Sequence, residues 1–250
     1  MNPSLSFGRA AALVTMALLS LTHVQAHAET GYYLVTTYPD EGRRAVDFKY
    51  WAAKPDGKPT LAAPELGLSW NVTSRWYTEV TAAAFKYGAG SNHLAAIEWQ
   101  NDFMLTQGQY PIDVAFHTNV ERATDGSGEI GIEYGPVLQT EFGRTQLNFN
   151  LFFQRELHGD EKEPTELAYQ WQVKYRWREH LQFGVQGFGE MGEWNHWLPR
   201  REQSHRIGPA LLGSWRTAGG QEWKYEAALL FGKNSATHAQ TFSTRIQYAF

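Results

Sequence analysis

No cysteine occurs anywhere in the 250 residues. Disulfide staples, thiol nucleophiles and thiolate-held metals are therefore excluded. Long hydrophobic runs are almost as scarce: after an apolar stretch from Ala10 to Leu21, nothing approaches the roughly 20 apolar residues that a spanning helix needs. A formal net charge of -4 leaves no basic excess, which argues against nucleic acid as a partner. No phosphate-cradling glycine loop, nucleotide motif or long internal repeat is present.

What is there begins with a leader. Arg9 supplies a positive start, residues 10–21 an apolar centre, and Ala26-His27-Ala28 a small-x-small cleavage site, so residues 1–28 read as a secretory signal peptide. Without cysteine it is not of the lipoprotein type. Residues 29–42, with Tyr32, Tyr33 and Tyr38, read either as a periplasmic lead-in or as an inserted plug. From residue 43 onward an alternation of period two takes over.

The clearest case is 165–177, where Leu167, Tyr169, Trp171, Val173, Tyr175 and Trp177 alternate with Glu166, Ala168, Gln170, Gln172, Lys174 and Arg176. No helical period fits this pattern, and a half-buried strand does. The same test predicts about twelve strands, over 44–53, 64–71, 75–87, 93–105, 112–122, 129–140, 145–157, 165–177, 181–191, 205–216, 223–232 and 237–250. Short connections alternate with longer ones rich in charge, Gly or Pro. Aromatic pairs bracket the short turns, among them Trp70 with Trp76, Trp177 with Phe183 and Trp215 with Trp223.

The last ten residues carry the pattern to the end of the chain. Phe242, Thr244, Ile246, Tyr248 and Phe250 share one face and Ser243, Arg245, Gln247 and Ala249 the other. This ending, with its terminal aromatic, resembles the closing strand of Gram-negative outer-membrane β-barrels. The resemblance implies that Tyr248 and Phe250 form the signal read by the barrel-assembly machinery. It also implies an all-β fold, a closed antiparallel transmembrane β-barrel of about twelve strands, lodged among outer-membrane lipids and lipopolysaccharide. Barrels of this strand count are similar to small porin-like channels, which pass small solutes passively and without a cofactor.

If the polar phase points inward, a charge map follows. Glu65, Glu79, Glu98, Asp102, Asp113, Glu121, Glu129 and Glu133 form an acidic wall on the second to sixth strands. Lys174, Arg176, Arg206, Arg216, Lys224 and Arg245 form a basic wall opposite, interrupted by Glu166, Glu190 and Glu226. Such a split orients charged solutes in an open lumen, whereas in a closed one the walls cross-pair and no pore exists. Eight strands enclose only side chains and sixteen a channel, so twelve lies between. Arg245→Ala is expected to alter only what the lumen admits.

Strand parity pairs 112–122 with 129–140 so that Glu121 faces Glu129 and His117 faces Glu133, a His–carboxylate couple. A metal needs more nitrogen ligands than His117 provides, and none is predicted. The lipid-modifying barrel enzymes place a serine two residues after a histidine; no histidine beyond the leader has one, so an enzyme is the least favoured alternative. The outer connection 192–204 offers Trp194, Trp197, Arg200 and Arg201, with Arg206 beyond it, for a ligand or for lipopolysaccharide phosphates. A porin-like channel for small polar or charged solutes is favoured over a closed, adhesive or lipid-binding barrel.

Overall fold

The computed structural model describes residues 31–37, 41–90, 93–158, 161–234 and 237–250. The predicted leader, 1–28, lies outside them, as do residues 29–30 and 38–40 of the segment that follows it. Twelve antiparallel strands form the wall: β1 (Arg44–Pro55), β2 (Leu61–Thr73), β3 (Trp76–Tyr87), β4 (His93–Met104), β5 (Asp113–Ala123) and β6 (Ile130–Phe142), then β7 (Thr145–His158), β8 (Glu166–Arg178), β9 (Leu181–Glu193), β10 (Ser204–Arg216), β11 (Glu222–Asn234) and β12 (Thr237–Ala249). Two-residue ribbons, Glu161–Lys162 and His196–Trp197, extend the outer loops after β7 and β9.

Each strand pairs with the next, and β12 pairs with β1 from Ala45↔Ala249 to Pro55↔Ala239. The sheet is therefore closed and has no free edge. Reciprocal backbone bonds between Arg44 and Phe250, 3.2 and 2.8 Å, carry the seam to the last residue.

Burial along the strands is the inverse of that in a soluble sandwich. On β2, Leu66, Leu68 and Trp70 are exposed while Glu65, Gly67 and Ser69 are buried; on β4 and β5, Trp99, Phe103, Phe116 and Val120 face outward around buried Asp102, His117 and Asn119. Polar inside and apolar outside is the pattern of a barrel whose solvent is lipid. Aromatic rings gather at the inner end, which carries Phe250 and the short turns. Trp215 stacks on Trp223 at 5.9 Å, Trp223 meets Tyr248 at 4.6 Å, and Tyr248 meets Phe250 at 5.8 Å.

Two strands carry a Gly-Pro pair at mid-length, Gly135-Pro136 on β6 and Gly208-Pro209 on β10. Proline cannot donate to the ladder, and the pairing of β6 with β7 and of β10 with β11 lapses at both places. A Cβ on Gly208 would lie 1.8 Å from the Leu229 carbonyl oxygen, and one on Gly135 would lie 1.9 Å from that of Leu151. Backbone must then move. Gly208→Ala is expected to cost about 1–3 kcal/mol, the usual penalty of overpacking, read as a lower urea midpoint for the refolded barrel.

The β5–β6 register differs from the expected one by two residues. Glu121 faces Gly131 and His117 faces Gly135, while Glu133 faces Asn119. The reason lies in the outer turn. Asp125 takes the Ser127 N–H at 2.8 Å, Gly126 and Gly128 adopt positive φ, and the Ala123 N–H bonds the Glu129 carbonyl at 3.1 Å. The turn thus keeps Glu129 as its closing residue, outside the wall. A shift of two preserves which face each residue occupies.

Candidate functional site: the lumen

Residues 31–37 lie inside the barrel. In its outer half Tyr32 packs edge-on against Trp51 at 5.3 Å and Phe188 at 5.8 Å, and Tyr33, Leu230 and Leu212 complete an apolar cluster. Deeper down, the Val35 N–H bonds Gln170 Oε1 at 3.3 Å, and Asn150 Nδ2 bonds the Val35 carbonyl at 3.0 Å. Val35 also packs with Phe152 and Met104. Burial, and next to it the Glu65 carboxylate, pushes the Tyr33 hydroxyl well above its ordinary range.

Three charge clusters line the wall. Arg245 Nε meets Asp47 Oδ1 at 2.7 Å, Lys49 Nζ meets Glu79 Oε1 at 2.9 Å, and Arg245 Nη2 approaches Glu79 Oε2 at 3.7 Å. Arg245 therefore does more than screen solutes: among the described residues it and Lys49 are the cations paired with Asp47 and Glu79, so Arg245→Ala is expected to weaken the wall as well as change selectivity. Around His117, Nδ1 lies 2.5 Å from Asp102 Oδ1 and Nε2 lies 3.1 Å from Glu133 Oε1. The couple with Glu133 forms despite the altered register, because a neighbour two residues along the facing strand is still within reach. At the inner rim, Arg43, Arg216 and Lys224 surround Glu222 at 2.5, 3.5 and 3.8 Å.

The remaining predicted wall residues divide by depth. Glu65 and Glu98 line the cavity, and inward Glu121 stands directly opposite Glu98. Asp113 folds into the inner turn, where it takes the Gly108 N–H at 2.5 Å. Lys174 lines the cavity, whereas Arg176 pairs with Glu141 at the inner rim. Arg206 is buried in the outer half, its guanidinium 4.3 Å from the Tyr32 ring and 3.0 Å from Thr241 Oγ1. It is thus turned away from the surface where lipopolysaccharide phosphates were expected to meet it. Trp194 and Trp197 are exposed, with Trp194 against Phe153 at 6.3 Å; Arg200 is exposed, and Arg201 pairs with Glu202 at 3.0 Å.

Several residues escaped the sequence reading. Asp47 and Lys49 sit on the inward phase of β1, which their alternation with Val46, Phe48 and Tyr50 already signals. More extensive is a wall of uncharged amides on β6 to β9. Gln146 Nε2 bonds Asn148 Oδ1 and Asn148 Nδ2 bonds Gln139 Oε1, each at 2.8 Å; Gln172 Nε2 bonds Gln186 Oε1 at 2.7 Å. Among the described residues, no group of three His, Asp or Glu side chains is arranged to hold a metal ion.

Below residues 33–36 the lumen widens into a cavity of about 350 Å³. Lys49, Glu65, Glu98, Asp102 and Arg245 line one side and the amides Gln139, Gln146 and Gln172 the other, where Lys174 and Glu226 also reach it. Here the closed wall encloses space on the scale of a small solute.

No protein-family model and no curated protein matches the chain. Solved structures do match it. An outer-membrane channel from Pseudomonas putida F1 superposes with a TM-score of 0.60 at 8% identity, over 88% of this chain and 98% of that one. The KdgM porin in complex with disordered oligogalacturonate gives 0.53 at 10% identity, over 82% and 99%. A second KdgM porin structure gives 0.51 at 12% identity over the same shares. These identities speak for fold alone, and the fold is that of porin-like outer-membrane channel barrels.

Proposed function

We propose that this chain is an outer-membrane channel that passes small polar solutes passively, with residues 31–37 narrowing its outer half. The observation that carries this is the polar cavity of about 350 Å³ inside a closed barrel. A barrel built only as a scaffold has no use for such space, because interiors otherwise pack to crystal-like density. The fold shared with outer-membrane channels supports the same function. Proteoliposomes containing the refolded chain should swell in isosmotic solutions of small solutes; a folded barrel that leaves swelling at the protein-free rate would overturn the proposal.

Inward acids outnumber inward cations along the wall, and Lys49 and Arg245 are already matched by Asp47 and Glu79. The lumen therefore favours cations. Charge is not simply divided between two walls: acids and cations meet on β1, β3 and β12, and amides predominate on β6 to β9. Replacing Glu65 and Glu98 together by glutamine should lower the cation preference seen as reversal potential across a salt gradient. An unmoved potential would place those carboxylates off the permeation path. The oligogalacturonate in the KdgM complex is acidic, and an acid-lined lumen does not suit such a solute.

Trp194, Trp197, Arg200 and Arg201 then serve as outer-rim contacts with lipid and lipopolysaccharide, Tyr248 and Phe250 as the assembly signal, and residues 1–28 as the cleaved export leader.

A further inference from the structure

The cavity's uncharged polar groups are under-used in a consistent way. A primary amide offers two N–H donors and two acceptor lone pairs. Gln146 and Gln172 each donate into the amide wall, and Gln182 donates to the Glu179 carbonyl at 3.3 Å. Yet among the described residues none of their side-chain carbonyls accepts a hydrogen bond, and all three line the cavity. At the cavity's outer end the Tyr33 hydroxyl is buried without a partner, and so is Asn119 Oδ1. Unmatched buried polar groups are rare and call for a partner. The nearby ions Lys49 and Arg245, by contrast, are already matched.

Given the channel function proposed above, we infer that this cavity is a binding station for a small neutral polyhydroxy solute, a free monosaccharide or disaccharide. Each sugar hydroxyl donates one hydrogen bond and accepts others, which is the complement of carbonyl acceptors set beside a hydroxyl donor. The buried Tyr33 side chain closes one end. An anionic solute finds no advantage here. Its carboxylate meets Glu65 and Glu98, and Lys49 and Arg245 are already paired, so that Lys174 among the lining cations stands against both acids. The volume of about 350 Å³ is on the scale of a mono- or disaccharide.

Saturation-transfer NMR on the barrel refolded in a sugar-free detergent tests this with galactose and galacturonate, equal in size and different in charge. Galactose should give a saturable signal, and galacturonate a weaker one. Gln172→Leu keeps the shape and removes the acceptor, and should raise the galactose dissociation constant about tenfold. Gln182→Ala, at a less buried position, should weaken it in the same direction if the first variant does not fold. The inference is overturned if galactose shows no saturable signal, if folded variants bind it as the wild type does, or if galacturonate binds better. Binding is read without conductance, so a barrel that binds galactose but passes no current would refute only the channel.

Discussion

His117→Ala is expected to lower the unfolding free energy of the barrel by about 3–5 kcal/mol, the cost of removing one partner from a buried ion cluster. The imidazole is fully buried between Asp102 and Glu133, and both ring nitrogens face carboxylate oxygens. The doubly protonated ring, a donor at each nitrogen, is the form that satisfies both. Gln100 at 2.6 Å and Gln154 at 2.7 Å hold the outer oxygens of the two acids. Phe152 covers the ring at 4.8 Å and carries the cluster to Val35 in the lumen. Without the ring, two buried carboxylates face one another with no cation between them. Adding Asp102→Asn to the alanine variant should recover part of the loss, which urea titrations of the two proteins would show. If His117→Ala unfolds at the wild-type urea concentration, the cluster contributes nothing to the wall.

Removing residues 31–37 should raise single-channel conductance several-fold and leave the barrel folded. Those residues fill the outer half of the lumen without joining the ladder of the wall: Tyr32 touches Trp51 and Phe188, and Val35 reaches Asn150 and Gln170. Closure of the sheet depends on β1 and β12, which begin after them. Conductance should also lose discrimination, since Tyr33 closes the outer end of the cavity. An unchanged conductance would show that ions take a route that bypasses this segment.

The wall was legible because a barrel strand between lipid and a polar interior alternates without interruption. Strands such as 165–177 came within one residue of β8, Glu166–Arg178. His117 was placed on the inward face for the same reason, although the turn at 124–129 set the register two residues away. The interior was harder to read. Residues 31–37 have no period of two, and their position follows from partners on many strands that only closure brings together. Trp51 is inward on a phase of Ala, Asp and Lys because Tyr32 and Phe188 meet it there, a contact that no local pattern encodes. The amides were overlooked because a charge map does not register neutral groups. Arg206 suited both the inward basic wall and lipid phosphates; its burial against the Tyr32 ring agrees with the first.

Planar-bilayer recording from the intact refolded chain tests the central claim most directly. Stepwise currents that reverse at a potential favouring cations are the predicted result. A folded barrel that inserts and leaves the bilayer electrically silent would contradict it.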